Sequence, residues 1–190
     1  MEWWLIRHGA TACNAERRYQ GQSDTELLPG DASGLTGLRK TLAGVEFSAV
    51  YCSDLNRCRS TLRFLRPDMV ASAIYERRLR EMHFGAWEGQ TYDMLKGQGI
   101  YRRWLDNPKE WTPPEGEPWA GFESRVRSIY GELVTMTTQL TEKGQSAPLL
   151  IVTHGGVISM LHTLLVPDSD FWNPQAKIGT GEILKLQPYF

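Results

Sequence analysis

Three groups of residues in this chain of 190 have the chemistry of an anion site that contains a nucleophile. The first group is Arg7-His8-Gly9, which follows the apolar run Trp3-Trp4-Leu5-Ile6. A guanidinium binds an anion, an imidazole can attack it, and a glycine lets the backbone approach it closely. A single histidine after a strand is also an ordinary polar strand end, so its interpretation depends on the other two groups.

Arg57 and His154 belong to those two groups. Arg57 lies in the first turn of a predicted helix, and helical side chains lean toward the helix N-terminus. Its guanidinium should therefore lie near the end of the preceding strand. A cation at a helix N-terminus is unfavourable for the helix dipole, so a role in binding an anion is more natural there than a structural role. Arg59 points about 200° away around the helix, which predicts a solvated side chain. His154-Gly155-Gly156 repeats the histidine–glycine ending after a second buried apolar run.

Together these groups place two histidines and two arginines at one edge of a sheet. Clustered cations repel each other, and an anionic ligand removes that repulsion. Paired histidines can also bind a metal ion, but the arginines oppose a cation and no HxxxH or carboxylate-rich set accompanies them. The sequence therefore predicts an anion site with no metal and no cofactor.

Strands and helices alternate along the chain and must position these groups. Apolar runs predict strands at 3–6, 49–52, 69–75 and 148–153, with one or two more within 176–187. Helices are predicted at 32–44, from an N-cap at Ser53-Asp54 to Leu65, at 119–143 and at 157–165. The alternation is typical of an α/β fold, a three-layer α/β/α sandwich with a mostly parallel central sheet. Such sheets bind ligands where their strands end.

Two connections carry further candidates. Residues 15–31 are predicted to be a long polar loop, and residues 77–89 an ordered loop that Phe84 and Trp87 anchor to the core. Glu81 stands among three arginines and a histidine, so it is either an ion-pair partner or a positioned acid.

Residues 91–118 are predicted to be a lid-like insertion that folds over the site, helical in pieces and then rich in proline. Local packing is the alternative role for each of its candidate substrate contacts, which are Tyr101, Arg102, Arg103, Trp104 and Trp111.

Composition limits the classes of partner. The 21 basic and 22 acidic residues nearly cancel, so nothing favours nucleic acid or a membrane surface. No apolar run approaches the roughly 18 residues of a membrane span, and nothing resembles a signal peptide. Cys13, Cys52 and Cys58 lack CxxC spacing, which favours a reduced, cytoplasmic protein. We expect one domain, residues 1–190, and leave a homodimer open.

The motifs together resemble the histidine phosphatase superfamily, in its phosphoglycerate mutase-like branch. The matching stretches keep the family's order and span nearly the whole chain, at 5–14, 19–21, 53–61, 79–89, 115–117 and 152–156. The resemblance implies a phosphoglycerate mutase-like sandwich and a metal-independent phosphomonoester hydrolase that acts through a phosphohistidine intermediate.

The resemblance also implies roles for particular residues. His8 would become the phosphohistidine, and Glu81 would protonate the leaving oxygen and then activate water. Arg7, Arg57 and His154 would hold the phosphoryl oxygens, and nearby cations should keep His8 neutral by lowering its pKa. The positions that would line the phosphate or substrate site are Asn14, Gln20, Gly21 and Gly155.

The substrate side departs from the family pattern. Residues 22–31 fit it loosely, His83 stands where many family phosphatases carry an acid, and Pro118 replaces a serine. The substrate would be a small phosphorylated metabolite. The lid and the stretches 81–89 and 115–119 resemble most the α-ribazole 5′-phosphate phosphatases of cobalamin synthesis.

Two other functions stay open at this point. A phosphoglycerate mutase would need cations for the substrate carboxylate, and Arg102 and Arg103 are the obvious ones in the lid. A non-catalytic protein that binds a phosphorylated ligand would keep the fold without turnover. The short chain lacks room for the longer insertions of glycolytic mutases, which favours the phosphatase.

Overall fold

A computed structural model of the protein describes residues 1–188, with the backbone alone at residue 31. Its strands are β1 Trp3–Arg7, β2 Ala49–Cys52, β3 Ile74–Tyr75, β4 Leu149–Thr153 and β5 Ile183–Leu186. Its helices are α1 Ala12–Ala15, α2 Leu35–Leu42, α3 Asn56–Leu65, α4 Tyr92–Leu95, α5 Gly99–Asp106, α6 Trp119–Glu142 and α7 Gly155–Leu165. No helix within residues 1–188 combines the length and the apolar character that crossing a bilayer requires.

The five strands form one sheet in the order β3-β2-β4-β1-β5. The pairs β1–β4, β2–β4 and β2–β3 are parallel, and only β5 runs antiparallel, against β1. Arg7 lies opposite Thr153, and Cys52 lies opposite Val152. The residues that follow these strands, His8, His154 and Ser53, therefore meet at one edge of the sheet.

Helices cover both faces of the sheet, as the apolar runs predict. On one face, Trp3, Leu5 and Ile151 pack against α6 and α7. On the other face, Ile6 and Leu150 pack against α2 and α3. Alternate residues of a strand point to opposite faces, so a strand buried on both sides must be apolar throughout. The predicted α/β/α sandwich is confirmed.

The third predicted strand, 69–75, is wrong over most of its length. Only Ile74–Tyr75 pairs with β2, at the edge of the sheet. Residues Pro67–Met69 form a 3-10 turn instead. The amide of Ser72 donates to the carbonyl of Met69, so this backbone satisfies its hydrogen bonds locally and not in a ladder.

The predicted N-cap of α3 is also wrong. The helix begins at Asn56, and its N-cap residue Leu55 makes no side-chain capping bond. Asp54 instead forms a salt bridge with Arg80 at 2.6 Å, and Ser53 turns toward the strand edge. The helix α1, which the sequence did not predict, is a single turn that Thr11 caps.

Glu88 ties the loop 15–31 to the loop 77–89. Its carboxylate accepts hydrogen bonds from the amides of Gln22 at 2.9 Å, Ser23 at 2.7 Å and Phe84 at 3.1 Å. A Cβ on Gly21 would lie 2.2 Å from Glu88 Oε1, so only glycine allows this approach. Burial alone would raise the pKa of Glu88, but the hydrogen bonds from Ser23, Gln22 and Phe84 outweigh it and lower the pKa.

Replacing Glu88 with Gln should lower the free energy of unfolding at pH 7 by about 1–3 kcal/mol, because the neutral amide is a weaker acceptor for the three backbone donors, two of them partly buried. The pKa is lowered in the folded state, so the carboxylate stabilises fully above its ordinary pKa of 4.5. That stabilisation is lost as the pH falls through the folded-state pKa. Urea unfolding from pH 7 to pH 3.5 should therefore show the gap between wild type and variant narrowing below pH 4.5.

The exposed Glu142→Gln variant is the matched control and should unfold like the wild type at every pH. A gap between Glu88→Gln and wild type that stays constant down to pH 3.5 would contradict this account of Glu88.

Candidate active site

His8 directly follows β1 and is only 4% exposed. Its amide donates to the carbonyl of Thr153 at 3.0 Å, which fixes its backbone to β4. Its Nδ1 lies 2.8 Å from the carbonyl oxygen of Gly9. A carbonyl only accepts, so Nδ1 carries the proton in the neutral ring, and Nε2 keeps its lone pair. The imidazole is oriented as a nucleophile with Nε2 as the attacking atom.

The ring of His8 is neutral at physiological pH. Burial, and then the charges of Arg57 and Arg7, lower its pKa from 6.5 to about 3, against the opposing effect of the hydrogen bond to Gly9. The lowered pKa agrees with the expectation that nearby arginines keep His8 neutral. Burial is the larger cause, and the sequence alone did not reveal it.

Arg57 projects from the first turn of α3 to the edge of the sheet, as predicted, and is fully buried. Its Nη1 donates to the carbonyl of Ser23 at 2.9 Å, and its Nη2 to that of Gly21 at 2.6 Å. Its Nε and Nη2 also lie 3.2 Å and 3.0 Å from Nδ1 of His154. Four of the five guanidinium N–H groups therefore bond to protein. Arg59, by contrast, is exposed and stacks on Tyr75.

His154 is fully buried beside Arg57, and its protonation follows from that neighbour. Burial, and then the charge of Arg57, hold the pKa of His154 well below its ordinary value. The guanidinium donates to Nδ1, so the proton of the neutral ring is on Nε2, which donates to Ser53 Oγ at 2.8 Å. In this arrangement both ring nitrogens of His154 bond to protein, and the ring orients the guanidinium of Arg57.

The second arginine, Arg7, has an unsatisfied donor. Its Nη1 donates to the carbonyl of Ile178 at 2.9 Å. Its Nε is buried and has no hydrogen-bond partner within residues 1–188. The side chain lines a cavity of about 340 Å³ together with Gly155, Gly156 and Lys177. A buried N–H without an acceptor is costly, so this end of the cavity favours an anionic ligand.

Glu81 stands at the N-terminus of α7. Its Oε2 accepts from the amide of Gly156 at 2.9 Å, and its Oε1 accepts from the amide of Met82 at 3.0 Å. A Cβ on Gly156 would lie 2.3 Å from Oε1, so any larger residue here would displace the Glu81 carboxylate. None of the salt bridges within residues 1–188 involves Glu81. Of the two alternatives for this residue, the structure agrees with the positioned acid.

A single guanidinium on α6 holds the backbone around Glu81. Arg125 donates to the carbonyl oxygens of Arg78 and Glu81, both at 2.9 Å, and also to that of Arg80. Its Nε and Nη2 bind the carboxylate of Glu117 at 2.7 Å and 2.8 Å. The sequence analysis missed Arg125, because on an amphipathic helix it looks like any solvated charge.

The four predicted lining residues divide into two groups. Asn14 Oδ1 accepts from the amide of Thr11 at 3.0 Å, and Gln20 Oε1 accepts from Thr11 Oγ1 at 2.9 Å. With Gly21, whose carbonyl binds Arg57, they build the loop around the guanidinium. Gly155 lies beside Arg7 instead, since a Cβ on Gly155 would be 3.5 Å from Arg7 Nε.

Only one of the five predicted lid contacts lines a cavity beside Glu81. Trp104 lines an aromatic cavity of about 190 Å³. Tyr101 is fully buried in local packing, and its hydroxyl lies 2.7 Å from that of Tyr19. Arg103 stacks on Trp111 at 4.9 Å, and Arg102 lines a separate surface hollow. The sequence analysis missed two other residues that line the aromatic cavity, Phe171 and Trp172.

Comparison with known proteins agrees with this geometry. Residues 3–189 match the family model of the histidine phosphatase superfamily (branch 1). The chain belongs to the histidine phosphatase superfamily. This confirms the family and the enzyme class, histidine phosphatase, that the sequence predicted.

Several known relatives of this histidine phosphatase are named phosphatases, and one is named a probable phosphoglycerate mutase. The adenosylcobalamin/alpha-ribazole phosphatase of Escherichia coli K12 is 29% identical over 194 residues, covering 100% of this chain and 92% of that protein. A glucosyl-3-phosphoglycerate phosphatase of Mycolicibacterium vanbaalenii is 32% identical over 185 residues, covering 96% of this chain and 82% of that protein. The solved alpha-ribazole phosphatase of Shigella flexneri has a TM-score of 0.81 at 28% identity, covering 98% of this chain and 90% of that one. Each of these three similarities therefore covers nearly all of this chain and at least 82% of the relative.

His8 and His154 should show opposite neutral tautomers and no titration between pH 8 and pH 5, because burial and Arg57 disfavour their charged forms. Long-range ¹H–¹⁵N spectra should show Nδ1 protonated in His8 and Nε2 protonated in His154, with His8→Ala assigning the signals. A His8 midpoint near 6.5 would contradict the buried, neutral nucleophile.

Proposed function

We propose that this histidine phosphatase hydrolyses a small phosphomonoester through a phosphohistidine at His8, without a metal ion. The observation that carries the proposal is the neutral, buried imidazole of His8, whose free Nε2 stands beside Arg57 and the unsatisfied Nε of Arg7. Phosphoryl transfer depends mainly on positioning and charge stabilisation, and guanidinium groups match the phosphoryl oxygens.

In the first half-reaction, Nε2 of His8 attacks phosphorus and the bond from phosphorus to the ester oxygen breaks. Glu81, protonated at this stage, gives its proton to the leaving oxygen. The hydrogen bond from Nδ1 to Gly9 stabilises the positive charge that develops on the ring. In the second half-reaction, the Glu81 carboxylate takes a proton from water, which attacks the phosphohistidine and releases phosphate and neutral His8.

Arg7 and Arg57 would bind the phosphoryl oxygens, in two different ways. Arg7 Nε is free to donate a hydrogen bond directly to a phosphoryl oxygen. Arg57 has one N–H of Nη1 left, so we expect phosphate to replace the carbonyl of Gly21 or Ser23 on its other groups. The loop that carries Gln20 and Gly21 would then shift, and His154 would keep the guanidinium in orientation. The amide of Gly155 lies beside Arg7 and suits the same anion.

For the substrate, the names of the relatives suggest the first candidates. We propose α-ribazole 5′-phosphate as the first to test and glucosyl-3-phosphoglycerate as the second. Residues 91–118 would act as the lid, with Trp104 as its contribution to the aromatic cavity. Arg102 and Arg103, the lid cations suggested for a mutase carboxylate, do not line the cavities beside Glu81.

The free thiols of Cys13, Cys52 and Cys58 support a cytoplasmic location as part of the same proposal. The homodimer stays a prediction. Within residues 1–188 no three His, Cys, Asp or Glu side chains are grouped as a metal site, and the experiment below therefore includes a chelator.

Phosphate release should continue in EDTA with the wild type and fall to background in His8→Ala, because both ring nitrogens of the neighbouring neutral imidazole, His154, already bond to protein. Glu81→Gln should still capture the phosphoryl group of p-nitrophenyl phosphate but hydrolyse it slowly. Brief incubation with ³²P-labelled substrate should then leave an acid-labile, alkali-stable label on the protein. Turnover by His8→Ala, or loss of turnover in EDTA, would overturn the proposal.

Arg125→Lys should disturb Glu81 while leaving His8 intact, because lysine cannot reach the three carbonyls and Glu117 together. We expect a drop in kcat of about 10–100-fold on alkyl phosphates, whose leaving oxygen needs a proton. The drop should be much smaller on p-nitrophenyl phosphate, whose leaving group needs none.

Arg127→Lys is the matched control for this experiment, since Arg127 lies on the same helix and pairs only with Glu123 at the surface. Equal losses of Arg125→Lys on both substrates would indicate a structural defect and refute the positioning of Glu81 by Arg125.

A further inference from the structure

Two cavities meet at Glu81. The cavity of about 340 Å³ contains Arg7, and the cavity of about 190 Å³ contains Trp104 and Trp119. Four residues line both of them: Glu81, Gly156, Phe171 and Trp172. Because Glu81 is the acid proposed above for the leaving oxygen, the ester oxygen of a bound substrate would lie next to Glu81. The rest of the substrate then extends from Glu81 into the second cavity.

The second cavity is suited to an apolar, uncharged group. Apart from Glu81 its walls are apolar, above all Met82, Phe84, Trp104, Trp119, Phe171 and Trp172. No lysine or arginine among the described residues lines it. A carboxylate placed here would lose its hydration and lie near Glu81, with no cation among the residues described as lining the cavity.

The volume of this cavity matches a ring. An engineered apolar cavity of about 150 Å³ binds benzene. A cavity of about 190 Å³ therefore accepts one aromatic ring with a short linker to the ester oxygen.

Trp172 forms the open side of the cavity and is 49% exposed. Its amide donates to Asp170 Oδ1 at 2.7 Å, which fixes the turn that presents it. Its ring lies 4.8 Å from that of Phe171 and 6.1 Å from that of Trp119. A ring that enters the cavity would therefore cover an aromatic face that is now in water, which is favourable.

Side-chain hydrogen bonds within the turn and to α7 also anchor it. Ser169 Oγ lies 2.9 Å from Nδ1 of His162 on α7, and Asn173 Nδ2 donates to the same hydroxyl at 3.1 Å. Trp119 is oriented by its own hydrogen bond to Glu123 at 3.1 Å. The aromatic wall is thus held in place before a ligand arrives, and little ordering is needed on binding.

We propose that Trp172, with Phe171 and Trp119, forms a leaving-group subsite that selects phosphomonoesters of flat, uncharged rings over those of carboxylate-bearing alcohols. The inference rests on the hydrolase function proposed above and adds the substrate class and the residues that select it. The selecting wall comes from the turn at residues 171–172. The sequence had suggested the lid residues Trp104 and Trp111, of which Trp104 lines the cavity and Trp111 does not.

The test compares kcat/KM for benzyl phosphate, propyl phosphate and 2-phosphoglycolate, whose leaving groups are all alkoxides. The wild type should prefer benzyl phosphate over both others. Trp172→Ala should lose about tenfold on benzyl phosphate, mainly through KM, and little on propyl phosphate, as expected for one aromatic contact. Trp172→Phe should keep most of the preference, and Trp111→Ala should keep all of it.

An unchanged ratio of benzyl to propyl phosphate in Trp172→Ala would overturn the subsite, as would a wild type that prefers 2-phosphoglycolate. Binding of benzylphosphonate to His8→Ala, measured by calorimetry, tests the subsite without catalysis, and Trp172→Ala in that background should weaken it. If no ester is hydrolysed but benzylphosphonate binds through Trp172, the hydrolase proposal fails and the ring subsite stands. If esters are hydrolysed but Trp172 changes neither measurement, the subsite fails alone.

Discussion

The burial of one guanidinium is the constraint on which the rest of this site depends. Arg57 has no exposed surface, so its charge must be balanced by acceptors that the fold brings to it. The carbonyls of Gly21 and Ser23 and the ring of His154 provide them. The protonation states of both histidines follow, because a buried imidazole beside a permanent cation is neutral. The same charge that would attract a phosphate therefore also keeps His8 nucleophilic.

Glu81 is held in a different way from Arg57, because no salt bridge within residues 1–188 supplies its carboxylate with a cation. The amide of Gly156 meets its carboxylate at the N-terminus of α7, where the helix dipole favours a negative charge. From the opposite side Arg125 holds the backbone of Glu81, and Glu117 in turn holds Arg125. The carboxylate that we propose as the acid is thus fixed in position, although none of the salt bridges within residues 1–188 includes it.

The proposed phosphate half and the proposed leaving-group half of the site are built from different elements of the fold. The phosphate half uses strand ends, whose register places His8 and His154 side by side with ring centroids 5.2 Å apart. The leaving-group half uses aromatic side chains from the lid, from α6 and from the turn after α7, here Trp104, Trp119 and Trp172. Strand register changes little when loops change, so relatives with this fold can keep one phosphate chemistry and differ in substrate.

The sequence by itself determined the sandwich, its parallel centre and the edge at which His8, Arg57 and His154 meet, because apolar runs and helix periodicity reflect local geometry. It also showed Glu81 as a choice between two roles. Only the tertiary structure shows that Glu81 bonds to the amide of Gly156, that His154 bonds to Ser53, and where Trp172 lies. Each of these depends on contacts between residues far apart in the chain, such as Glu81 with Gly156, and no local pattern encodes such contacts.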